Sequence, residues 1–229
     1  MQHAVAVAPE RPSVPARGLR FARVPSGPNG TQATIKRALD IALATLLVAL
    51  SAPLMGLIWL VIKLDSNGPA LICQDRVGRG LRPFRMYKFR SMVNQAESLL
   101  PGLLDRNETE GPIFKMRYDP RITRVGRYLR RLSMDELPQL INVLRGEMAL
   151  VGPRPPFTDE VIQDYLRQAI RLQCPPGMTG VWQVSGRSDL SYEMMIGLDL
   201  GYALHWSLAR DLAILIRTVP AVVSGRGAL

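Results

Sequence analysis

A chain of 229 residues with 47% hydrophobic content holds enough apolar material for one or two domains with a core, which excludes a wholly disordered protein. Its 29 basic residues exceed its 19 acidic ones for a net charge of +10; all but Lys36, Lys63, Lys88 and Lys115 are arginines, and the balance points to nucleic acid, an anionic membrane or phosphorylated substrates. Cys73 and Cys174 stand far apart with only His3 and His205 besides, so a thiolate or imidazole metal cage is excluded and the cysteines read as reduced, partly buried thiols.

Residues 1–33 read as a disordered, basic N-terminal arm, because the stretch up to Gly30 is rich in Pro, Ala, Gly and Arg and has no apolar period. A membrane helix is expected over 34–64. No charge interrupts the run from Ile41 to Ile62, and roughly 20 apolar residues cross a bilayer core. Pro53 removes a backbone donor near the middle, and Ser51 can offer its hydroxyl to the freed groups, so a break is expected at Ser51–Pro53. Two geometries are open: a kinked span, or a re-entrant helix that enters and leaves on one side. Lys36 and Arg37 before the run, and Lys63, Arg76, Arg79, Arg82 and Arg85 after it, favour the re-entrant form because positive flanks stay cytoplasmic. The long lead and the apolar continuation to Ile62 argue against a signal peptide ending at "ALSA".

Residues 65–229 make up the rest. "ALICQDRV" and "RPFRMYKF", joined by "GRGL", predict a small β-hairpin. "SMVNQAESLLPGLL" predicts a helix that stops near Pro101–Gly102, before the turn-rich "RNETEGP". "DPRITRVGRYLRRL" predicts a helix capped by Asp119 with Pro120 in its first position. Arg117, Arg121, Arg124, Arg127 and Arg131 would form one basic face on it, turned to solvent, lipid headgroups or substrate phosphates. "DELPQLINVLRG" predicts a helix ending at Gly146, and "MALVGPRPPF" a strand and then a proline-stiffened loop around Arg154. "TDEVIQDYLRQAIRL" predicts a helix packing through Tyr165, Leu166, Ile170 and Leu172. "PPGMTGVWQVSGR" reads as a Gly/Pro loop region around Val181, Trp182 and Val184. "LAILIRTVPAVVSGRGAL" predicts an apolar helix broken near Pro220, one face of which could rest on a membrane. The fold class is α+β, mainly helical, with amphipathic interfacial helices.

The chemistry concentrates in "RRLSMDELPQL", where Asp135 and Glu136 adjoin two arginines. Ser133 and Glu136 match a capping box, and Asp135 in a first turn suits the helix dipole, so plain capping accounts for the pair. A second account starts from the cations. Arg130, Arg131, Lys88, Arg90 and Arg154 are available to neutralise phosphate, and two carboxylates beside them suit Mg²⁺-assisted phosphoryl transfer. Pro138 holds the pair to a helix start in either case.

Further motifs stand in order around this stretch: "KRALD" leading into the proline-broken apolar run, "KFRSM", "DPRITRVGRYLRR", "SMDELPQLINVLRGEMALVGPRP", "PGMTGVWQVSGR", and the tail from "HWSLARDLAIL" to "GRGA". Over about residues 34–228 the chain resembles the bacterial sugar transferase family, small membrane-bound phosphoglycosyl transferases that begin lipid-linked glycan assembly. The resemblance implies a UDP-sugar donor, a polyprenyl (undecaprenyl) phosphate acceptor and Mg²⁺. Asp135 would be the nucleophile, forming a phosphosugar–aspartyl intermediate and expelling UMP, and Glu136 would bind the metal. Lys88 and Arg130 would hold phosphate, joined by Arg90 on the reading of the cations alone, while Arg154, stiffened by Pro153 and Pro155, would contact the nucleotide. It also implies a re-entrant helix, membrane lipids as partners, and a catalytic domain on the cytoplasmic face of the bacterial inner membrane. The product would enter exopolysaccharide, capsule or O-antigen assembly. No nucleic-acid partner is expected, and a homo-oligomer stays open.

Met134 stands where the family usually has leucine, and the "RGL" turn departs from its glycine pattern. The chain also reads as a near-minimal catalytic unit. Two rivals remain at this level: a membrane-anchored basic module that binds anionic polymer without catalysis, and a phosphatase or other transferase acting on the same lipid.

Overall fold

The computed structural model describes residues 27, 28, 30–109, 111–225 and 227. Most of the expected N-terminal arm, residues 1–26 and 29, therefore lies outside the described residues, while Thr31–Ala33 already belong to the first helix. That helix, α1 (Thr31–Asp65), is 35 residues long, or about 52 Å at 1.5 Å per residue. Its helical backbone continues through Pro53, so Ser51–Pro53 is not a gap between two helices, and any bend there lies within one helix. Ser51 does not serve the carbonyl that proline frees; its hydroxyl donates to Leu47 O at 2.6 Å, one turn back.

One stripe of α1 is buried and the rest is bare. Lys36, Asp40, Ala44, Ile58 and Ile62 are covered, while leucines such as Leu46, Leu50 and Leu57 and the ring of Trp59 stay exposed. The stripe rests on the remainder of the molecule at both ends. Near the N-terminus, Arg37 donates to Val143 O and Leu144 O, two carbonyls in the last turn of a helix. Near the C-terminus, Ile58 and Ile62 pack with Phe89 and Leu129.

The expected hairpin is present. β1 (Leu71–Val77) and β2 (Pro83–Phe89) pair antiparallel from Leu71↔Phe89 to Val77↔Pro83 around a turn with Gly80 at φ 65°. The helix expected after it shrinks to α2 (Ala96–Leu99) and a short 3-10 segment, Pro101–Arg106. α3 (Arg124–Arg131) starts five residues after the expected cap Asp119. Thr123 caps it instead, its hydroxyl accepting from Gly126 N at 2.9 Å. Asp119 is engaged elsewhere, held bidentately by the buried Arg121. The expected arginine face is thus cut to the exposed Arg124, Arg127 and Arg131. Gly126 is obligatory here: a Cβ would lie 1.9 Å from Ser91 O.

α4 (Gln139–Arg145) ends as expected at Gly146, whose φ of 82° suits glycine. β3 (Ala149–Val151) then pairs parallel with β4 (Gly177–Thr179), a second sheet the sequence reading did not foresee. Their backbones continue together past the strands, with Gly152 N donating to Thr179 O and Gly177 N to Pro153 O. Between the strands, the single expected helix is two, α5 (Thr158–Gln163) and α6 (Tyr165–Arg171), divided at Asp164. Of its packing candidates Leu172 is fully buried, whereas Leu166 faces solvent. α7 (Tyr192–Leu204) was not anticipated, and α8 (Leu208–Ser224) continues through Pro220 rather than breaking there. The main core joins α4, β3, α7 and α8 through Leu140, Val143, Leu150, Val151, Tyr202 and Ile214, with Ala44 of α1 closing it. Both cysteines are free, Cys73 exposed and Cys174 buried, and burial pushes the Cys174 thiol up to about 12.

Candidate active site

Asp135 and Glu136 sit in a single 3-10 turn, Met134–Glu136, between α3 and α4. The capping box expected from Ser133 and Glu136 does not form. Ser133 takes a left-handed conformation at φ 53°, and its hydroxyl accepts from Arg187 at 2.8 Å. Pro138 occupies the position before α4, where a missing backbone donor costs nothing. The pair is therefore placed by a turn ahead of the helix, a strained left-handed serine setting its direction.

β2 supplies the countercharge. Lys88 Nζ lies 2.9 Å from Glu136 Oε1 and 3.8 Å from Asp135 Oδ2. The carboxylates differ in setting: the Asp135 side chain is 8% exposed and that of Glu136 36%. Burial, reinforced by the neighbouring Glu136 charge, outweighs Lys88 and Arg130 and holds Asp135 above the ordinary aspartate range. Burial also acts on Glu136, but the charge and hydrogen bond of Lys88, with Arg187 and Arg76 behind it, carry that group below its ordinary value. Two adjacent carboxylates are thereby pushed apart in acidity by environment alone.

They open onto a cavity of about 180 Å³ whose wall includes Arg76, Lys88, Arg130, Arg154 and Arg187. The rim carries hydrogen-bonding capacity that the protein leaves unused: Trp182 Nε1, Gln183 Oε1 and Arg187 Nη1 are buried without a partner. Buried polar groups are normally satisfied, so such a cluster in a cavity wall is shaped for a polar ligand. A second cavity, of about 260 Å³, lies across Glu136 and shares Arg130, Glu136, Arg154, Trp182 and Arg187 with the first.

Arg154 is fixed from several sides. Its amide donates to Asp199 Oδ2 at 3.0 Å, its carbonyl accepts from Arg171, and its guanidinium donates to both oxygens of Glu160. Arg171 and Asp199 are themselves buried and paired at 2.6 Å. This network ties the loop after β3 to α5, α6 and α7, so Arg154 reaches the cavity with little freedom.

Residues 31–225 match the family model described as Bacterial sugar transferase. The chain belongs to the bacterial sugar transferase family. Among its relatives, the chain is 44% identical over 85% of its length to a Salmonella typhimurium protein named undecaprenyl-phosphate galactose phosphotransferase. It is 39% identical over 84% of its length to the exopolysaccharide production protein ExoY of Rhizobium meliloti, and 45% identical over 82% to a Caulobacter vibrioides UDP-glucose:undecaprenyl-phosphate glucose-1-phosphate transferase. The matched region covers 87% of the Rhizobium protein and 70% of the Caulobacter one, but only 41% of the Salmonella protein.

Most of the residues singled out in the sequence meet at one place. Asp135, Glu136, Lys88, Arg130, Arg154 and Pro155 line the first cavity, and Pro153 holds β4 through its carbonyl. Arg90 does not join them. Its guanidinium donates to Ser66 O, Asn67 O and Pro69 O, closing the end of α1. Sequence reasoning missed Arg76 and Arg187. Arg76 is buried, stacks 3.4 Å from the Phe157 ring centroid and donates to Pro155 O. Burial and the nearby Arg154 charge lower its pKa to about 9. Arg187 had a signal, since "VSGR" closes a motif already singled out, and glycine before an arginine marks a special backbone; its φ is 53°.

Proposed function

We propose that this chain moves a sugar 1-phosphate from a UDP-sugar to undecaprenyl or a similar polyprenyl phosphate and releases UMP, the first step of building an exopolysaccharide, capsule or O-antigen. The observation that carries the reading is a buried carboxylate, Asp135, set 3.8 Å from an ammonium at the wall of an arginine-lined cavity. A surface that only bound anionic polymer would gain nothing from carboxylates within its basic site, because they repel phosphate.

The Asp135 carboxylate attacks the sugar-bearing phosphorus. One Asp–O–P bond forms, the bridging P–O bond breaks, and the electron pair leaves on the phosphate of UMP. An oxygen of the acceptor phosphate then attacks the same phosphorus and restores the carboxylate. Lys88 holds Asp135 ionised and oriented, while Arg130, Arg154 and Arg187 meet the phosphate charges. Among the described residues no group of three or more His, Cys, Asp or Glu side chains could hold a metal ion. Magnesium at one or two carboxylates, completed by water and substrate phosphates, needs no such cage, and the half-open Glu136 beside Asp135 fits that manner of binding. Mg²⁺ held there would offset diphosphate charge.

For the membrane we propose the re-entrant arrangement, both ends of α1 on the cytoplasmic face. Lys36 of its first turns binds Val151 O and Asp211, and Ile62 of its last turns packs on Leu129 of α3. A helix crossing a bilayer would carry one end away from a domain confined to the other side. The bare leucines of α1, with Leu212, Ile216, Val219 and Val223 of α8, supply the lipid-facing surface. In a Cys73→Ser background, Thr34→Cys and Asn67→Cys are expected to label from the cytoplasmic side alone; labelling from opposite sides contradicts the arrangement. For the chemistry, Asp135→Asn is expected to abolish UMP release across a panel of UDP-sugars with Mg²⁺ and membranes. Unchanged turnover contradicts the covalent route.

A further inference from the structure

The two cavities are unequal in a way that orients the donor. Asp135 and Lys88 open only onto the first; the second has neither, yet shares the arginine wall. Displacement at phosphorus runs in line, with the nucleophile and the leaving oxygen on opposite sides. With Asp135 in the first cavity, the departing phosphate lies across the shared wall, where Arg130, Arg154 and Arg187 gather.

The linings differ to match. In the second cavity Tyr192 and Phe114, whose ring carries the Arg121 guanidinium 5.0 Å from its centroid, supply aromatic surface, and Ile113 and the buried Met195 add apolar surface. Thr109 and Ser191 place hydroxyls at the edge that also bond Ile113 O and Met194 N. A flat pyrimidine on a ribose has those needs: apolar faces and a hydrogen-bonding rim. The segment that carries Phe114 is held against the body by Lys115, which donates to Ser188 O and Leu190 O at 3.3 Å each. The first cavity instead offers Gln183 Oε1 as a spare acceptor, with Trp182 Nε1 as a spare donor in the wall it shares with the second. Sugar hydroxyls both donate and accept, so that pair suits them.

We propose that the second cavity is the nucleoside pocket, with uridine seated against Phe114 and Tyr192, and that the transferred sugar stays in the first cavity beside Trp182 and Gln183. This assignment rests on the transfer reading above and adds the address of each half of the donor.

The test uses the full chain in lipid nanodiscs and UMP itself as probe. Ile113→Trp fills the second cavity and Phe114→Ala removes its ring. Both are expected to weaken UMP inhibition of UDP-sugar turnover about tenfold, leaving the order of preference among UDP-sugars unchanged. Gln183→Leu is expected to do the reverse, changing that order while UMP inhibition holds. Unaltered UMP inhibition in both second-cavity variants overturns the assignment, as does a changed sugar preference in those variants alone. Calorimetry with UMP separates the two levels of the argument. A wild-type chain that binds UMP, and loses it in Ile113→Trp, supports the pocket whatever its turnover. The absence of UMP release from every UDP-sugar by that same protein would sink the transfer reading alone.

Discussion

Two lysines in this molecule each face two carboxylates, and their fates differ. Lys36 of α1 lies 2.7 Å from Asp211 and 3.6 Å from Asp40; Lys88 of β2 lies 2.9 Å from Glu136 and 3.8 Å from Asp135. Around Lys36 the hydrogen bonds are taken. Asp40 accepts from Leu150 N, Asp211 accepts from Tyr202 Oη and Trp206 Nε1, and the lysine also donates to Val151 O. That cluster borders a groove walled by leucines such as Leu39, Leu43 and Leu212. Around Lys88 the wall is basic, one carboxylate is a third exposed, and donors stand idle. A sealed, satisfied charge group ties helices together, whereas an open one with unused capacity awaits a ligand.

Four substitutions probe the contrast. Asp135→Asn should lower UMP release by about 10⁴-fold or more, with a thermal midpoint no lower than that of the parent, since it removes a buried charge beside Glu136. A midpoint loss as large as that of a core variant would place Asp135 with the structural cluster instead. Lys36→Met should do the opposite, costing about 3–5 kcal/mol in denaturant unfolding because Asp40 and Asp211 are left buried without their cation. The surviving folded fraction should turn over at the parental rate.

Lys88→Met should lower turnover by about 10²–10³-fold and also move its pH dependence. Asp135 must be ionised to attack, so activity falls as pH drops through its folded value. Burial sets that value above the ordinary 3.8, and Lys88 is what draws it down. Without the lysine the acidic limb of the rate profile therefore moves to higher pH; a limb that stays or moves down contradicts the role given to Lys88. The smallest effect belongs to Thr123→Ala, which loses the cap of α3 and about 1 kcal/mol of stability while UMP release holds.

The same contrast explains what could be read from the sequence. Local patterns were legible: the apolar run became α1, the alternating stretches the hairpin, Gly146 the end of α4, and "DELP" a turn at a helix start. Which arginine meets which partner was not. Arg76 lies within β1 and Arg90 just past β2, yet Arg90 is consumed by carbonyls of Ser66, Asn67 and Pro69 while Arg76 reaches the cavity, an outcome decided by register and by chain far away. Asp119 lost the capping position because Arg121, two residues on, holds both its oxygens. β3 and β4 are three residues each, too short for an alternating pattern to show, and Gly197 and Gly201 weaken the helical signal of α7.

The most direct measurement is mass mapping of the acid-quenched, purified chain after mixing with UDP-sugar and Mg²⁺ in the absence of acceptor. The account predicts a sugar-phosphate adduct on the peptide holding Asp135, formed together with UMP and lost when polyprenyl phosphate is added. UMP release with that peptide unmodified, or with the adduct on another residue, would contradict it.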